Sequence, residues 1–196
     1  MFKKPALILS ASLLMFGCSQ AVSQDAKPET SAPTQQAAST PTPANCADLE
    51  YRQLDFWVGD WALEWDKPDG TIGTGTNIIS RSPFGDCVIT ENFDGAPTIK
   101  FKGMSVSTWH KPAKLWRQTW VDDQGGYFAL SGGPNDDGTF TLTMTRLSDK
   151  APHSRMVWSE IKPDSLVWSW QGHKAGETAE DKKWQDQWVI RYKRKK

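Results

Sequence analysis

The sequence predicts an all-β domain: an antiparallel up-and-down β-barrel of about ten strands, preceded by a short N-terminal helix. Three observations predict it. Apolar and polar residues alternate in short runs. "TFTLTMTRL" puts Phe140, Leu142 and Met144 on one face and Thr139, Thr141, Thr143 and Thr145 on the other, which is the two-residue period of a half-buried strand. The runs are separated by "KPDG", "SPFGD", "DGAP", "DDQGG", "GPNDDG" and "KPDS", strings whose Gly, Pro, Asp and Asn reverse the chain. No long apolar pattern of helical period competes. So many short sequential strands suit a sandwich or a closed barrel, and closure removes the edges that invite aggregation.

The first elements precede the fold. Residues 1–17 read as a signal peptide. Lys3 and Lys4 form a positive start, and "ALILSASLLMF" is an apolar stretch too short to span a bilayer as a helix. In "LLMFGCSQ" a small residue, Gly17, precedes Cys18. The string resembles the lipobox of bacterial lipoproteins, with Met15 and Phe16 where Leu and a small residue are commoner. That resemblance implies diacylation of Cys18 as the mature N-terminus. Ser19, rather than Asp, then implies an outer-membrane lipoprotein facing the periplasm. An ordinary cleaved signal is the alternative.

Residues 18–45 form the lipidated Cys and a tether rich in Ser, Thr, Pro, Ala and Gln. Such a segment lacks the apolar surface to offset its ordering entropy. If Cys18 carries lipid, Cys46 and Cys87 remain of the three cysteines. In an oxidising compartment they are expected to pair. Two cysteines so far apart, with no CxxC, show no zinc-ligand spacing.

The chain carries 23 basic and 23 acidic residues. Loss of Lys3 and Lys4 with the leader leaves 21 against 23. That balance lacks the basic footprint of a nucleic-acid binder. The basic end "RYKRKK" reads as a solvated tail, with anionic lipid as a weaker alternative.

Residues 46–196 form the domain and hold all eleven tryptophans. "ADLEYRQLDFWV" fits a short helix or 3₁₀ turn ending at Gly59. Trp61, Leu63 and Trp65 alternate with Ala62 and Glu64 and begin the first strand. Trp57 closes off the preceding element. Further runs fall at about 71–81, 86–94, 98–109, 126–132 and 154–162. "KLWRQTWVD" groups Trp116, Gln118 and Trp120. "SLVWSWQG" groups Leu166, Trp168 and Trp170. "KWQDQWVIRY" groups Trp184, Trp188, Ile190 and Tyr192.

A short helix running into Gly59-Asp60-Trp61, at the start of a meandering barrel, resembles the lipocalin-like (calycin) proteins. In those an Arg of a late strand packs across the Trp at the closed end, and Arg191 in "WVIRYKR" is the candidate here. Together "LDFWVGDW", "WRQTWVDDQGGYF" and "IRYKR" resemble the domain-of-unknown-function 1579 family of bacterial proteins, from about Leu54 to Arg194. The resemblance implies a lipocalin-like barrel and no established activity. The loop "KAGETAEDKKW" departs from the "DGGKTW"-type turn of that family.

The sequence holds no GxSxG, Walker A loop, HExxH or strand-borne GxGxxG. His110, His153 and His173 sit near strand ends and turns, with no second His at ligand spacing, so no metal is expected. A haem held by His110 or His173, as in the nitrobindins, is a remote alternative, since the "GxWxGxG" string is absent. Asp122 and Asp123 are neighbours on opposite faces and read as turn residues rather than an acid/base pair. Glu91 alternates with Cys87, Ile89 and Phe93. If it faces inward it needs a partner such as Arg117 or Arg191, or a ligand group; the pattern leaves its face open.

Trp61, Trp65, Trp116, Trp120, Trp158, Trp168, Trp170 and Trp188 are placed to face the lumen together. Side chains alone fill small barrels, but ten strands enclose more volume. The expectation is a Trp-lined cavity that binds or carries a small apolar or aromatic molecule, with Glu91 among its polar groups. Contact with the membrane is through the lipid anchor, no cofactor is implied, and no protein partner is named. The rival readings are a packed structural or interaction barrel and, third, an enzyme for which no constellation speaks.

Overall fold

The structure, a computed structural model, describes residues 46–82, 85–145, 153–173 and 183–196. The signal peptide, Cys18, the tether and most of the "KAGETAEDKKW" loop lie outside these residues.

The chain opens with α1 (Leu49–Arg52) and a 3₁₀ turn, Asp55–Trp57, as "ADLEYRQLDFWV" predicts. Ten strands follow: β1 (Gly59–Asp66), β2 (Ile72–Arg81), β3 (Val88–Asp94), β4 (Lys102–His110), β5 (Leu115–Asp122), β6 (Tyr127–Pro134), β7 (Phe140–Met144), β8 (Ser154–Lys162), β9 (Ser165–Gly172) and β10 (Gln185–Arg194). Each pairs antiparallel with its sequence neighbour, and β1 pairs with β10, so the meander closes into a barrel. The expected run at 98–109 is shortened to begin at Lys102, because residues 95–101 form the connection, closed by Gly95 N–H to the Phe101 carbonyl and Ile99 N–H to the Gly95 carbonyl, both at 2.9 Å.

Burial alternates along the strands as the sequence implies. In β5, Trp116, Gln118 and Trp120 point inward, and Arg117 and Thr119 point to solvent. In β2, Gly73, Gly75, Asn77 and Ile79 point inward. The two glycines leave room for the indole of Trp65, against which a Cβ on Gly73 would collide.

One end of the barrel is closed by the N-terminal segment. Leu54 and Trp57 enter the lumen and are fully buried. Trp57 meets Trp158 edge-on at 5.1 Å, and Phe140 packs on Trp158 at 5.8 Å and on Trp116 at 6.2 Å. The Trp116 indole donates to Gln53 Oε1 at 3.1 Å, so this plug is pinned by polar contacts as well. A Cys46–Cys87 disulfide, the pairing expected from the sequence, ties the start of the domain to the residue before β3.

At the same end the arginine partner of Trp61 is Arg194, not Arg191. The Arg194 guanidinium lies over the Trp61 ring, 4.1 Å from its centroid, and register pairs the two residues across β1 and β10. Arg191 is three residues earlier, so strand alternation turns it outward, where it forms a two-point ion pair with Asp66 at 2.9 and 3.1 Å. Gly59 is the other half of this arrangement. Its φ is +144°, and a Cβ there would strike Arg194 Nη1, so both backbone angle and space call for glycine.

The Trp184 grouping is also corrected. The β9–β10 register shifts between Asp186 and Trp188. One extra residue reverses the side-chain parity on the far side of the bulge. Trp188, Ile190 and Tyr192 stay inward, whereas Trp184 stacks on His173 at 4.0 Å, with Arg155 at 4.3 Å over its ring.

Candidate functional site

The half of the barrel away from the plug is not filled. It holds a chamber of about 190 Å³. A dry cavity of about 150 Å³ already admits benzene, so there is room for a compact ligand of about one ring with a short substituent. Strands β3, β5, β6, β8, β9 and β10 supply the walls, and Phe101, just before β4, completes them.

The eight tryptophans named from the sequence divide between plug and chamber. Trp120, Trp168, Trp170 and Trp188 line the chamber. Trp61, Trp116 and Trp158 do not; they are fully buried in the packed end. Trp65 is also buried and stands behind the wall, meeting Trp188 edge-on at 5.5 Å. The cause is the inserted 3₁₀ turn. It brings Leu54 and Trp57 against the inward residues of the closed end and turns them into core.

The wall tryptophans are held by their neighbours. Trp120 lies across Gly103, where any Cβ would collide with the indole, and its N–H donates to Asp122 Oδ2 at 3.0 Å. Asp122 also accepts from the Gln124 and Gly126 amides, and those hydrogen bonds hold its carboxyl below the usual range despite some burial. It is a turn residue, as expected, and Asp123 accepts separately from the Lys102 amide. Trp188 meets Phe93 at 5.9 Å and Trp168 at 6.1 Å, both edge-on, and Trp170 packs on Phe128 at 5.4 Å.

Glu91 is the charged residue on the chamber wall. It faces inward and is 5% exposed. Its partners are neither Arg117 nor Arg191, both of which point outward. Oε1 accepts from Asn77 Nδ2 at 2.7 Å, and Oε2 accepts from Ser105 Oγ at 2.6 Å. Asn77 Nδ2 also donates to the Tyr192 hydroxyl at 3.0 Å. These contacts follow from register: Glu91 lies opposite Ser105 on β4 and two residues, on the same face, from Phe93, the partner of Asn77 on β2. Burial pushes the Glu91 carboxyl up to about 7, against the opposing pull of the Ser105 and Asn77 hydrogen bonds. Burial, followed by the nearby Glu91 charge, pushes the Tyr192 phenol well above its usual range.

Sequence reasoning did not single out Asn77, Ser105 or the aromatic residues Phe93, Phe101 and Phe128 as parts of the site. Asn77 carried one usable signal. It is the polar member of an inward set of two glycines and an isoleucine, and a polar residue among such neighbours needs a buried partner.

His110 ends β4, and neither it nor His173 lines the chamber. His153 and His173 come together, ring centres 5.3 Å apart, although twenty residues separate them. Among the described residues no group of three or more His, Cys, Asp or Glu is placed to hold a metal ion. No protein-family model matches this chain, and no curated protein matches it.

Proposed function

We propose that this protein binds a small, largely apolar or aromatic molecule in the open half of its barrel. The carrying observation is the aromatic chamber itself. It is separated from a well-packed plug within one lumen, so the cavity is local to one half of the barrel. Apolar walls with a few convergent polar groups are the usual form of a small-ligand site. The leader at residues 1–17, the Gly17-Cys18 pair and the Ser/Thr/Pro/Ala tether support carriage of this site on an outer-membrane lipoprotein facing the periplasm.

A second reading, a protein-interaction surface, has its own observation. Ile78, Met104, Val106 and Val121 are 40–43% exposed on the outside of β2, β4 and β5. Ile78 pairs with Asn92, Asn92 with Met104, and Met104 with Val121, so three of them lie in one row across the sheet.

Native mass spectrometry of the gently purified protein separates the two. The ligand reading expects a discrete small-molecule adduct, or uptake of one from envelope extract with a change in tryptophan emission. A clean apo mass after such incubation, with unchanged emission, overturns it and favours the outer surface.

A further inference from the structure

The chamber pairs a wall of aromatic faces with a buried acid, Glu91, which among the described residues has no countercharge. Glu91 is packed by three elements besides its own, and the groups they present are Asn77 from β2, Ser105 from β4 and Tyr192 from β10. None is a cation. Among the described residues no Lys, Arg or His forms an ion pair with Glu91. Each Glu91 oxygen accepts one protein hydrogen bond, and a carboxylate oxygen can accept two. Acceptor capacity therefore remains beside the chamber.

The chemistry of a matching ligand follows. A wholly apolar occupant would strip the acid of any water and return no hydrogen bond. An anionic occupant would set two like charges together in a low-dielectric space. An ammonium group meets both needs: it donates to the free lone pairs and supplies the missing charge. Indole faces add attraction for a cation, strongest for Trp among the side chains. The organic body of such a ligand would fill the space between Trp120, Trp168, Trp170 and Trp188.

Building on the ligand-binding reading above, we propose that the chamber is a site for a small organic amine, its ammonium seated on Glu91 and its apolar or aromatic body held by the tryptophan wall. Uptake is then coupled to protons. A carboxyl pushed up to about 7 is partly protonated in the free protein at neutral pH. A bound cation holds it ionised, so each amine that enters near pH 7 displaces part of a proton to solvent.

The test uses the purified protein and three probes of one shape: phenethylamine, 2-phenylethanol and 3-phenylpropionate. Affinities are read by calorimetry between pH 5 and pH 8.5. At pH 8 the amine is expected to bind at least tenfold more tightly than the alcohol. Its affinity should fall about tenfold per pH unit below about 7, where Glu91 protonates, and that of the alcohol should not. Calorimetry at pH 7 in buffers of different ionisation enthalpy should show proton release for the amine alone. In Glu91→Gln, whose amide oxygen can accept from Asn77 while its NH2 group donates to the Ser105 hydroxyl oxygen, amine and alcohol should bind alike. The pH profile and proton release of the unmodified protein decide the matter if that variant fails to fold. Equal binding of amine and alcohol, or tightest binding of the acid, overturns the amine assignment and leaves the ligand chamber standing. Failure of all three probes to bind overturns both.

Discussion

Arg194 covers the ring of Trp61 at 4.1 Å and at the same time donates from Nη1 to the Val58 carbonyl at 2.9 Å and from Nε to the Pro163 carbonyl at 2.8 Å. One side chain thus joins the first strand, the segment before it and the β8–β9 turn. Removing it loses a cation–π contact and leaves partly buried carbonyls without a donor. Arg194→Ala should cost about 2–3 kcal/mol by urea denaturation. Arg191→Ala removes only an exposed ion pair with Asp66 and should cost under about 1 kcal/mol. Similar losses for the two variants would remove Arg194 from its role at the closed end.

The disulfide closes a loop of 41 residues between the start of the domain and β3. Loop-closure entropy puts its contribution at about 3–4 kcal/mol. Cys46→Ser should lower the melting temperature in oxidising buffer, and the difference from the unmodified protein should vanish in reductant. An unchanged melting temperature in oxidising buffer would show that the bridge does not constrain the unfolded chain.

Much of this architecture was legible in the sequence, because it rests on local signals. The ten strands follow from two-residue alternation and from Gly, Pro, Asp and Asn at the turns. The 3₁₀ turn ahead of Gly59 follows in the same way, and the Cys46–Cys87 pair follows from the cysteine count once Cys18 is set aside. What misled were questions of parity and depth. Arg191 and Arg194 both lie near the end of β10, and only their places in the alternation, with Trp61 across the strand pair, tell which one reaches the ring. Trp184 was assigned by a parity that the bulge after Asp186 reverses. The eight tryptophans all point inward, but the sequence has no coordinate along the barrel axis. It could not say that Trp57 and Leu54 would enter and turn Trp61, Trp116 and Trp158 into plug. For Glu91 the alternation with Ile89 and Phe93 leaves the face open, and its partners lie on other strands and depend on register.

Glu91 sets a pH dependence of stability whose sign can be worked out. Its ordinary carboxyl value is 4.5, and in the fold it is pushed up to about 7. The folded state therefore holds a proton that the unfolded chain releases between these values. The fold is most favoured by this group below pH 4.5, loses that advantage as the pH rises to about 7, and bears a constant penalty above it. The difference amounts to about 3 kcal/mol. Unfolding free energies measured at pH 5 and pH 8 should diverge for the unmodified protein by about that amount more than for Glu91→Gln. Parallel pH profiles for the two proteins would contradict a buried, uncompensated acid.

The division of the lumen into plug and chamber makes a prediction that separates stability from binding. Trp158 is fully buried and touches Trp57 and Phe140. Truncation to Ala there leaves a large void among fixed neighbours and should cost about 3–5 kcal/mol. Trp168 is half-buried and faces open space on the chamber side. Trp168→Ala removes fewer contacts and should cost about 1–2 kcal/mol. For a bound aromatic probe such as 2-phenylethanol the order reverses. Loss of the Trp168 wall should weaken binding about tenfold, since the aromatic contact and the shape of the chamber go together. A folded Trp158→Ala protein should bind the probe more nearly as before, because Trp158 does not line the chamber. Equal effects of the two substitutions on both readouts would mean that the lumen behaves as one continuous core, with no chamber to speak of.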